Sequence, residues 1–347
     1  MENLPQLYRN NLYHPTCDIV TGLQHGDEGK GKVVKALMEK GDYNICCRFN
    51  GGPNAGHTIY HQGHKIVTHL IPSGIFYNKV CVIGSGCVID IDKLKKEIIE
   101  IEMLGIDVRN NLKISFNCHI IDKSHIEEDV RTDKIGSTGS GIRPVFRDKY
   151  NRCGKRVKDL TNDKLLGCEI IDPSVFLNLE ENTILFEGAQ GFELDIDWGK
   201  YPYVTSSHCF SGFIGSCGVS HKAIRNVYGL CKIYDTYVGN YEFQSSDEDC
   251  IKLGELGNEF GSTTGRKRQV NWLNVDRLKK AIIMNGVTKL IINKCDIIKE
   301  LGKYKILNDY NKEIIDFTSF NVMKLFIQER FKGLVDEIIF SETPYDI

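Results

Sequence analysis

CDIVTGLQHGDEGKGK, residues 17–32, sets a short apolar run directly ahead of a glycine-rich loop. Asp18, Ile19, Val20 and Thr21 read as a strand, and Gly26, Gly29 and Gly31 open the turn that follows. From Lys32 onward the chain (VVKALMEK) takes a helical pattern. Strand, glycine loop and helix in that order make a phosphate cradle, because bare backbone N–H groups and the positive end of the helix face the same anion. Against the pattern G-x-x-x-x-G-K-[ST], Gly26, Gly31 and Lys32 fall in register, whereas Val33 stands where a hydroxyl would hold the metal. Some other group must then do so, and Asp27 inside the loop is the nearest candidate.

Outward from this loop, strand candidates recur at 43–49, 79–89, 112–116, 182–191, 226–234, 288–296 and 335–340. Between several of them lie helical patterns: 91–105, with Leu94, Ile98 and Ile101 near one face, 274–286, and about 320–332. Strands alternating with helices predict an α/β fold of the P-loop NTPase kind, with a large, mostly parallel sheet flanked by helices. Ligands in such sheets bind beyond the carboxyl ends of the strands, where most of the glycine loops here fall. Residues 122–159 turn polar and glycine-broken, which reads as a working surface rather than core. No repeat or linker interrupts the chain, so we expect one domain over 17–347 with inserted functional loops and an extension over 1–16.

Composition narrows the partners. Lys and Arg number 44 against 46 Asp and Glu, a net charge of −2, which gives no global pull toward nucleic acid or membrane. No apolar run approaches the roughly 18 residues of a membrane span, and the N-terminus lacks a signal-peptide layout. The 13 cysteines are odd in number, irregularly spaced and without a C-x-x-C pair. Several sit in apolar strand-like runs, where cysteine behaves as a small hydrophobe. The expectation is a reduced, cytoplasmic protein.

Three further segments carry chemistry. NAGHT (54–58) sets His57 in a second glycine turn. NKCD (293–296) ends an apolar run; Asp296 can accept both the N1–H and N2–H₂ donors of guanine while the stem of Lys294 lies over the base. GSTTGRKRQ (261–269) gathers Arg266, Lys267 and Arg268 behind Gly265, a clamp for an acidic substrate, since arginine grips a carboxylate bidentately.

The blocks QHGDEGKGK, GGPNAGHT, HLIPSG, IGSTGSGI, FEGAQG, DIDWGKYPYVTSS, GNEFGSTTGRKR and NKCD together resemble the adenylosuccinate synthetase family, from about residue 17 to the C-terminus. The chain is short for that family, like the compact form of some archaea and viruses. The resemblance implies GTP-dependent ligation of IMP and L-aspartate through a 6-phosphoryl-IMP intermediate, with Mg²⁺ as cofactor. It makes Asp27 the base that removes the N1 proton of IMP and, with the Gly56 backbone, a metal ligand. His57 and Lys30 stabilise phosphate charge, and Gln190 completes the catalytic set. Asn54, Thr138, Gln190, Thr205 and Val238 match IMP-binding positions, and Arg152 one that reaches the IMP of a neighbouring subunit, which implies a homodimer. Thr264, Arg266 and Arg268 match the aspartate loop. GTP falls to Gly26, Glu28, Gly29, Lys30, Gly31, Lys32, Gly56, His57 and Thr58 for the phosphates, and to Lys294, Asp296 and Ser341 for guanine.

The chain departs from the family pattern in places. His25 replaces the usual tryptophan, Lys35 an acidic residue and Arg143 a glycine. YVGNYEFQS (237–245) replaces R-V-G-x-G-P-F-P-T, and the late S-T-G-P turn is Ser341–Pro344. Two other readings stand beside the first. One is a phage-type relative that joins aspartate to dGMP with ATP, a group that carries a small residue where Asp27 stands. The other is a GTP-binding inactive paralogue, for which the clamp of Arg266 and Arg268 would have no use.

Overall fold

The structure, a computed structural model, describes residues 15–61, 63–160, 163–261, 265–308 and 313–343. Its centre is a ten-stranded sheet. From one edge to the other its strands are Glu337–Phe340, Lys289–Asn293, Ile224–Lys232, Thr16–Gly22, Thr183–Glu187, Ile45–Arg48, Val80–Ile83, Leu112–Ser115, Cys168–Ile171 and Lys164–Leu165. All neighbours run parallel except the last pair, which is antiparallel.

Both faces of the sheet are covered, and the strands alternate accordingly. Ile19, Phe186, Leu290 and Ile292 point into one core with Leu278, Ala281 and Ile282 of the helix Val275–Asn285. Val20, Leu185, Leu230 and Ile291 point into the other, with Val33, Val34 and Met38 of the helix Lys30–Lys40. The central strand Thr16–Gly22 (β1) therefore delivers its loop and the helix Lys30–Lys40 (α1) from the middle of the sheet. A smaller four-stranded sheet, in the order Tyr234–Tyr237, Gln269–Asn274, Tyr304–Asn308 and Glu313–Phe317, carries the segment that ends in Arg268. The free cysteines are all buried except Cys153.

Differences from expectation are local. Thr16, placed in the extension, already pairs with Thr183 in β1, and residues 1–14 lie outside the described residues. The polar segment 122–159 is half helical, with helices Lys123–Thr132 and Ile142–Tyr150. Ile142, Val145 and Phe146 form a small core with Val88 and Ile121. Helical spacing buries these three while Arg143 and Arg147 stay outside, which charge content along the chain conceals.

Candidate active site

The glycine-rich loop between β1 and α1 is shaped by backbone that few side chains tolerate. Gly26, Asp27 and Gly29 all have positive φ, at 94°, 60° and 87°. Gly29 caps α1 in the left-handed conformation, which costs an L-residue roughly 1–2 kcal/mol. At Gly31 the constraint is contact: a Cβ there would come within 2.7 Å of the Thr58 carbonyl, so α1 packs directly on the His57–His61 strand. Glu28 is wholly buried, and its Oε1 accepts from the N–H groups of Gln24 (3.2 Å) and Gly26 (2.8 Å). Its Oε2 accepts from Lys30 Nζ at 2.6 Å, and Lys30 also donates to the Gln190 carbonyl at 2.5 Å. Asn293, first residue of NKCD, donates from Nδ2 to the Glu28 carbonyl at 2.6 Å and so ties that motif to the glycine-rich loop.

Lys30 and Lys32 sit two positions apart on α1 and so face opposite ways. Lys32, in register for a phosphate-gripping lysine, donates to Ser341 Oγ at 2.6 Å and to the Thr343 carbonyl at 3.1 Å. Ser341 is thereby fixed beside α1. Val33 is fully buried in the core, so a hydroxyl at that register would face away from the loop.

His57 leads from the second glycine turn into a buried charge group that the sequence did not reveal. Arg48 and Glu187 are register partners at the carboxyl ends of adjacent parallel strands, and Arg48 Nη2 donates to Glu187 Oε1 at 3.1 Å. His57 Nδ1 contacts the same carboxylate oxygen, and Ser73 adds its backbone N–H (2.7 Å) and its hydroxyl (2.8 Å). Burial alone would raise the Glu187 carboxyl; Arg48, His57 and the Ser73 N–H hold it well below the usual carboxylate range. Burial and the Arg48 guanidinium lower His57 to about 4 against the pull of Glu187. The imidazole is therefore neutral near pH 7, with its Nδ1 set against both the Glu187 carboxylate and Arg48 Nη2, the latter at 3.0 Å.

Asp27 is engaged from the arginine loop. Arg268 Nη2 lies 2.6 Å from Asp27 Oδ2, and Arg268 Nη1 donates to Glu259 Oε2. Arg266 spans to the next loop, donating from Nη2 to the carbonyls of Gly136 (2.9 Å) and Ser137 (3.1 Å), beside the exposed Thr138. Thr264, expected in the aspartate clamp, lies outside the described residues.

The other expected nucleotide residues gather at the same sheet edge. Asn50 accepts from the Ala189 N–H at 2.7 Å and donates to the carbonyls of Ala189 (3.1 Å) and His208 (2.8 Å). It thus pins the turn of Gln190 to the segment that follows Thr205. Gln190 has a left-handed backbone (φ 56°), and its Oε1 and the Oδ1 of Asn54 are buried polar atoms without a partner among the described residues. Such orphans point to a ligand that satisfies them. Val238 is half-buried, and its neighbour Asn240 bonds Ile135 through the backbone at 2.9 Å, beside the Thr138 loop. Two departures from the family pattern pack on each other: His25 pairs with Asp235 at 3.1 Å and sits edge-on to Tyr237 and Phe243 of the altered 237–245 segment. Asp296 lies in the first turn of the helix Cys295–Leu301, past the left-handed Lys294. Arg152 stands exposed, two residues beyond the helix Ile142–Tyr150.

For a metal, Asp27 and the Gly56 carbonyl offer hard oxygen donors, and the Asp27 side chain is 32% exposed, open to the cradle. That donor set fits a cation that draws its remaining ligands from phosphate and water. A separate trio, Asp195, Asp197 and His208, has ligand atoms within 4.8 Å of one another. Asp195 there accepts the N–H groups of Asp197 (3.0 Å) and Cys209 (2.6 Å) and so staples its own loop.

The chain is similar to known proteins in sequence and in fold. The family model described as adenylosuccinate synthetase matches residues 19–172 and 170–330. The adenylosuccinate synthetase of Chlorobaculum parvum is 41% identical over 92% of this chain and 86% of its own length. That of Chlorobium phaeobacteroides is 42% identical over 87% of this chain and 82% of its own. Among solved structures, the fully ligated adenylosuccinate synthetase of Plasmodium falciparum superposes with a TM-score of 0.80 at 27% identity, covering 94% of this chain and 97% of that one. The succinoaminodeoxyadenylate synthetase of cyanophage S-2L, bound to dGMP and dATP, shares the fold with a TM-score of 0.75 at 22% identity, covering 96% and 94%. The chain belongs to the adenylosuccinate synthetase family.

Proposed function

We propose that Asp27, Lys30, His57, Gln190 and the Arg266–Arg268 clamp carry out the family's reaction, the GTP-dependent ligation of IMP and L-aspartate to adenylosuccinate. The enzyme is a carbon–nitrogen ligase of AMP biosynthesis. The observation that carries the residue assignment is the 2.6 Å contact between Asp27 and Arg268, which supports a base and an amino-acid clamp working on one purine.

O6 of IMP is a poor nucleophile while N1 holds its proton. Asp27, once released by Arg268, takes that proton, and O6 attacks the γ-phosphorus of GTP as the bond to GDP breaks. Lys30 balances charge on the phosphates. Nε2 of His57 meets the same charge, and an arriving anion favours its protonation against the depressed value set by burial. The amine of L-aspartate, held by Arg266 and Arg268, then attacks C6, the bond from C6 to the phosphorylated oxygen breaks, and the departing phosphate takes the proton that the amine gives up. Asn54, Thr138, Gln190, Thr205 and Val238 orient IMP, with the orphaned Asn54 Oδ1 and Gln190 Oε1 as acceptors. Gly26 to Lys32 and Gly56 to Thr58 hold the phosphates, and Lys294, Asp296 and Ser341 the guanine. The metal is Mg²⁺, held by Asp27 and the Gly56 carbonyl; when bound it neutralises phosphate charge. Two chains form a homodimer in which Arg152, exposed here, reaches the partner's IMP. Among the described residues no helix is long and apolar enough to cross a membrane.

The test mixes pure protein with IMP, GTP, L-aspartate and Mg²⁺. Formation of adenylosuccinate and GDP supports the assignment; a folded protein that forms neither overturns it. A parallel arm with dGMP and ATP decides between this chemistry and that of the phage-type relatives.

A further inference from the structure

The arginine-bearing segment enters and leaves the fold through Glu259. The Glu259 N–H donates to the Gly254 carbonyl and the Arg268 N–H to the Glu259 carbonyl, each at 3.0 Å. The Glu259 side chain turns inward and is only 1% exposed. Oε1 accepts from the Tyr234 hydroxyl at 2.7 Å, Oε2 meets Lys232 Nζ at 3.4 Å and takes Arg268 Nη1, and Lys294 Nζ stands 4.0 Å away. Burial works against the ionised carboxyl, yet Lys232, Arg268 and Lys294 bring Glu259 down to about 2. Lys294 is itself placed by a 2.9 Å bond to the Gly257 carbonyl, two residues away.

One guanidinium, Arg268, therefore serves two carboxylates of unequal standing. Glu259 is enclosed by scaffold, whereas the Asp27 side chain is 32% exposed on the open loop. An amino-acid substrate arrives with carboxylates of its own. It can displace Asp27, whose charge water and metal can solvate, but not Glu259, whose removal would leave buried cations unpaired. A guanidinium offers five donors in a fixed fork, so one edge can stay on Glu259 while the other changes partner.

We propose that Glu259 is a positioning residue that anchors Arg268 while the carboxylate of L-aspartate replaces Asp27 on the other edge of the guanidinium. Release of the base is then linked to arrival of the amino acid, and the Lys294 contact joins the same carboxylate to the guanine side of the site. This rests on the ligation reading above.

Glu259→Gln keeps the volume and an acceptor for Tyr234 but removes the charge. The variant should raise KM for L-aspartate about tenfold or more while KM for IMP and GTP moves less than about threefold, the mark of a clamp rather than of general loosening. An active wild type together with a folded Glu259→Gln variant whose KM for aspartate is unchanged overturns the role of Glu259. A folded wild type that makes no adenylosuccinate overturns the ligation reading instead. Should Glu259→Gln fail to fold, Tyr234→Phe decides, since it deletes only the hydroxyl bonded to Glu259. It should raise KM for aspartate about two- to fivefold with kcat nearly kept, and an unchanged KM overturns the proposal.

Discussion

Arg268 and Asp27 form an ion pair of 2.6 Å between two loops that the sequence separates widely. The carboxylate proposed as general base is thus engaged by a guanidinium in a site that, on the ligation reading, still has to admit IMP. Arg268 Nη2 occupies Asp27 Oδ2, so the guanidinium must yield before that oxygen can take a proton. The pair makes the base dependent on what else Arg268 binds.

Removing the base is the first test. Asp27→Asn should lower kcat by about 10²–10⁴-fold while circular dichroism and thermal midpoint stay near wild type, because the side chain is isosteric and partly exposed. Near-normal turnover in this variant would show that another group takes the N1 proton.

The clamp separates from the nucleotide site in a second variant. Arg266→Leu deletes the guanidinium that spans to Gly136 and Ser137. KM for L-aspartate should rise at least about tenfold, near 1.4 kcal/mol of lost binding, and KM for GTP far less. Equal rises in both constants would assign Arg266 to the general architecture of the loops.

Glu187 should matter for both stability and rate. Glu187→Gln leaves Arg48 buried without its counter-charge and His57 without a fixed Nδ1 partner. Chemical denaturation should show a loss of about 3–5 kcal/mol, and kcat should fall with little change in KM for aspartate. A variant as stable as wild type would mean that the Arg48–Glu187 pair is dispensable.

A pH dependence follows from His119. It is buried, its Nδ1 has no partner among the described residues, and burial together with Lys149 and Arg156 lowers it from 6.5 to about 4. Between those values the unfolded chain binds a proton that the folded chain does not. The contribution of His119 to stability is therefore full above about 6.5 and is lost as the pH falls toward 4. His119→Phe should flatten the decline of unfolding free energy over that window, measured by urea titration. An unaltered slope would place the acid sensitivity elsewhere.

Guanine recognition can be re-aimed at Asp296. Asparagine there replaces one acceptor by a donor, which no longer suits the N2 amino group of guanine but matches the O2 carbonyl of xanthine. Asp296→Asn should weaken GTP by about 2–3 kcal/mol and gain use of xanthosine triphosphate. Unchanged GTP preference in competition assays would remove Asp296 from the base pocket.

What could be read directly from the chain was what backbone geometry writes into residue type. Glycines at 26, 29 and 31 mark positive φ or close contact, and apolar runs followed by helical periodicity mark a parallel sheet. Val33, standing where the motif has a hydroxyl, turned attention to Asp27, whose side chain is 32% exposed on the loop. Register within a motif did not tell which lysine faces inward: Lys32 reaches the 341–343 turn and Lys30 the loop interior, because two residues on a helix point apart.

The sequence by itself determined the fold class, the glycine-rich loop between strand and helix, and the family. Only the tertiary structure decided the charge groups beneath the site. Arg48 and Glu187, 139 positions apart, meet because two parallel strands pair in one register. Glu259 meets Lys232 and Arg268 because a loop folds back over a strand end. A charged residue at the end of a strand looks in sequence like an ordinary surface charge. Burial, which makes its partner obligatory, is a property of the packed layers and is not written at any one position.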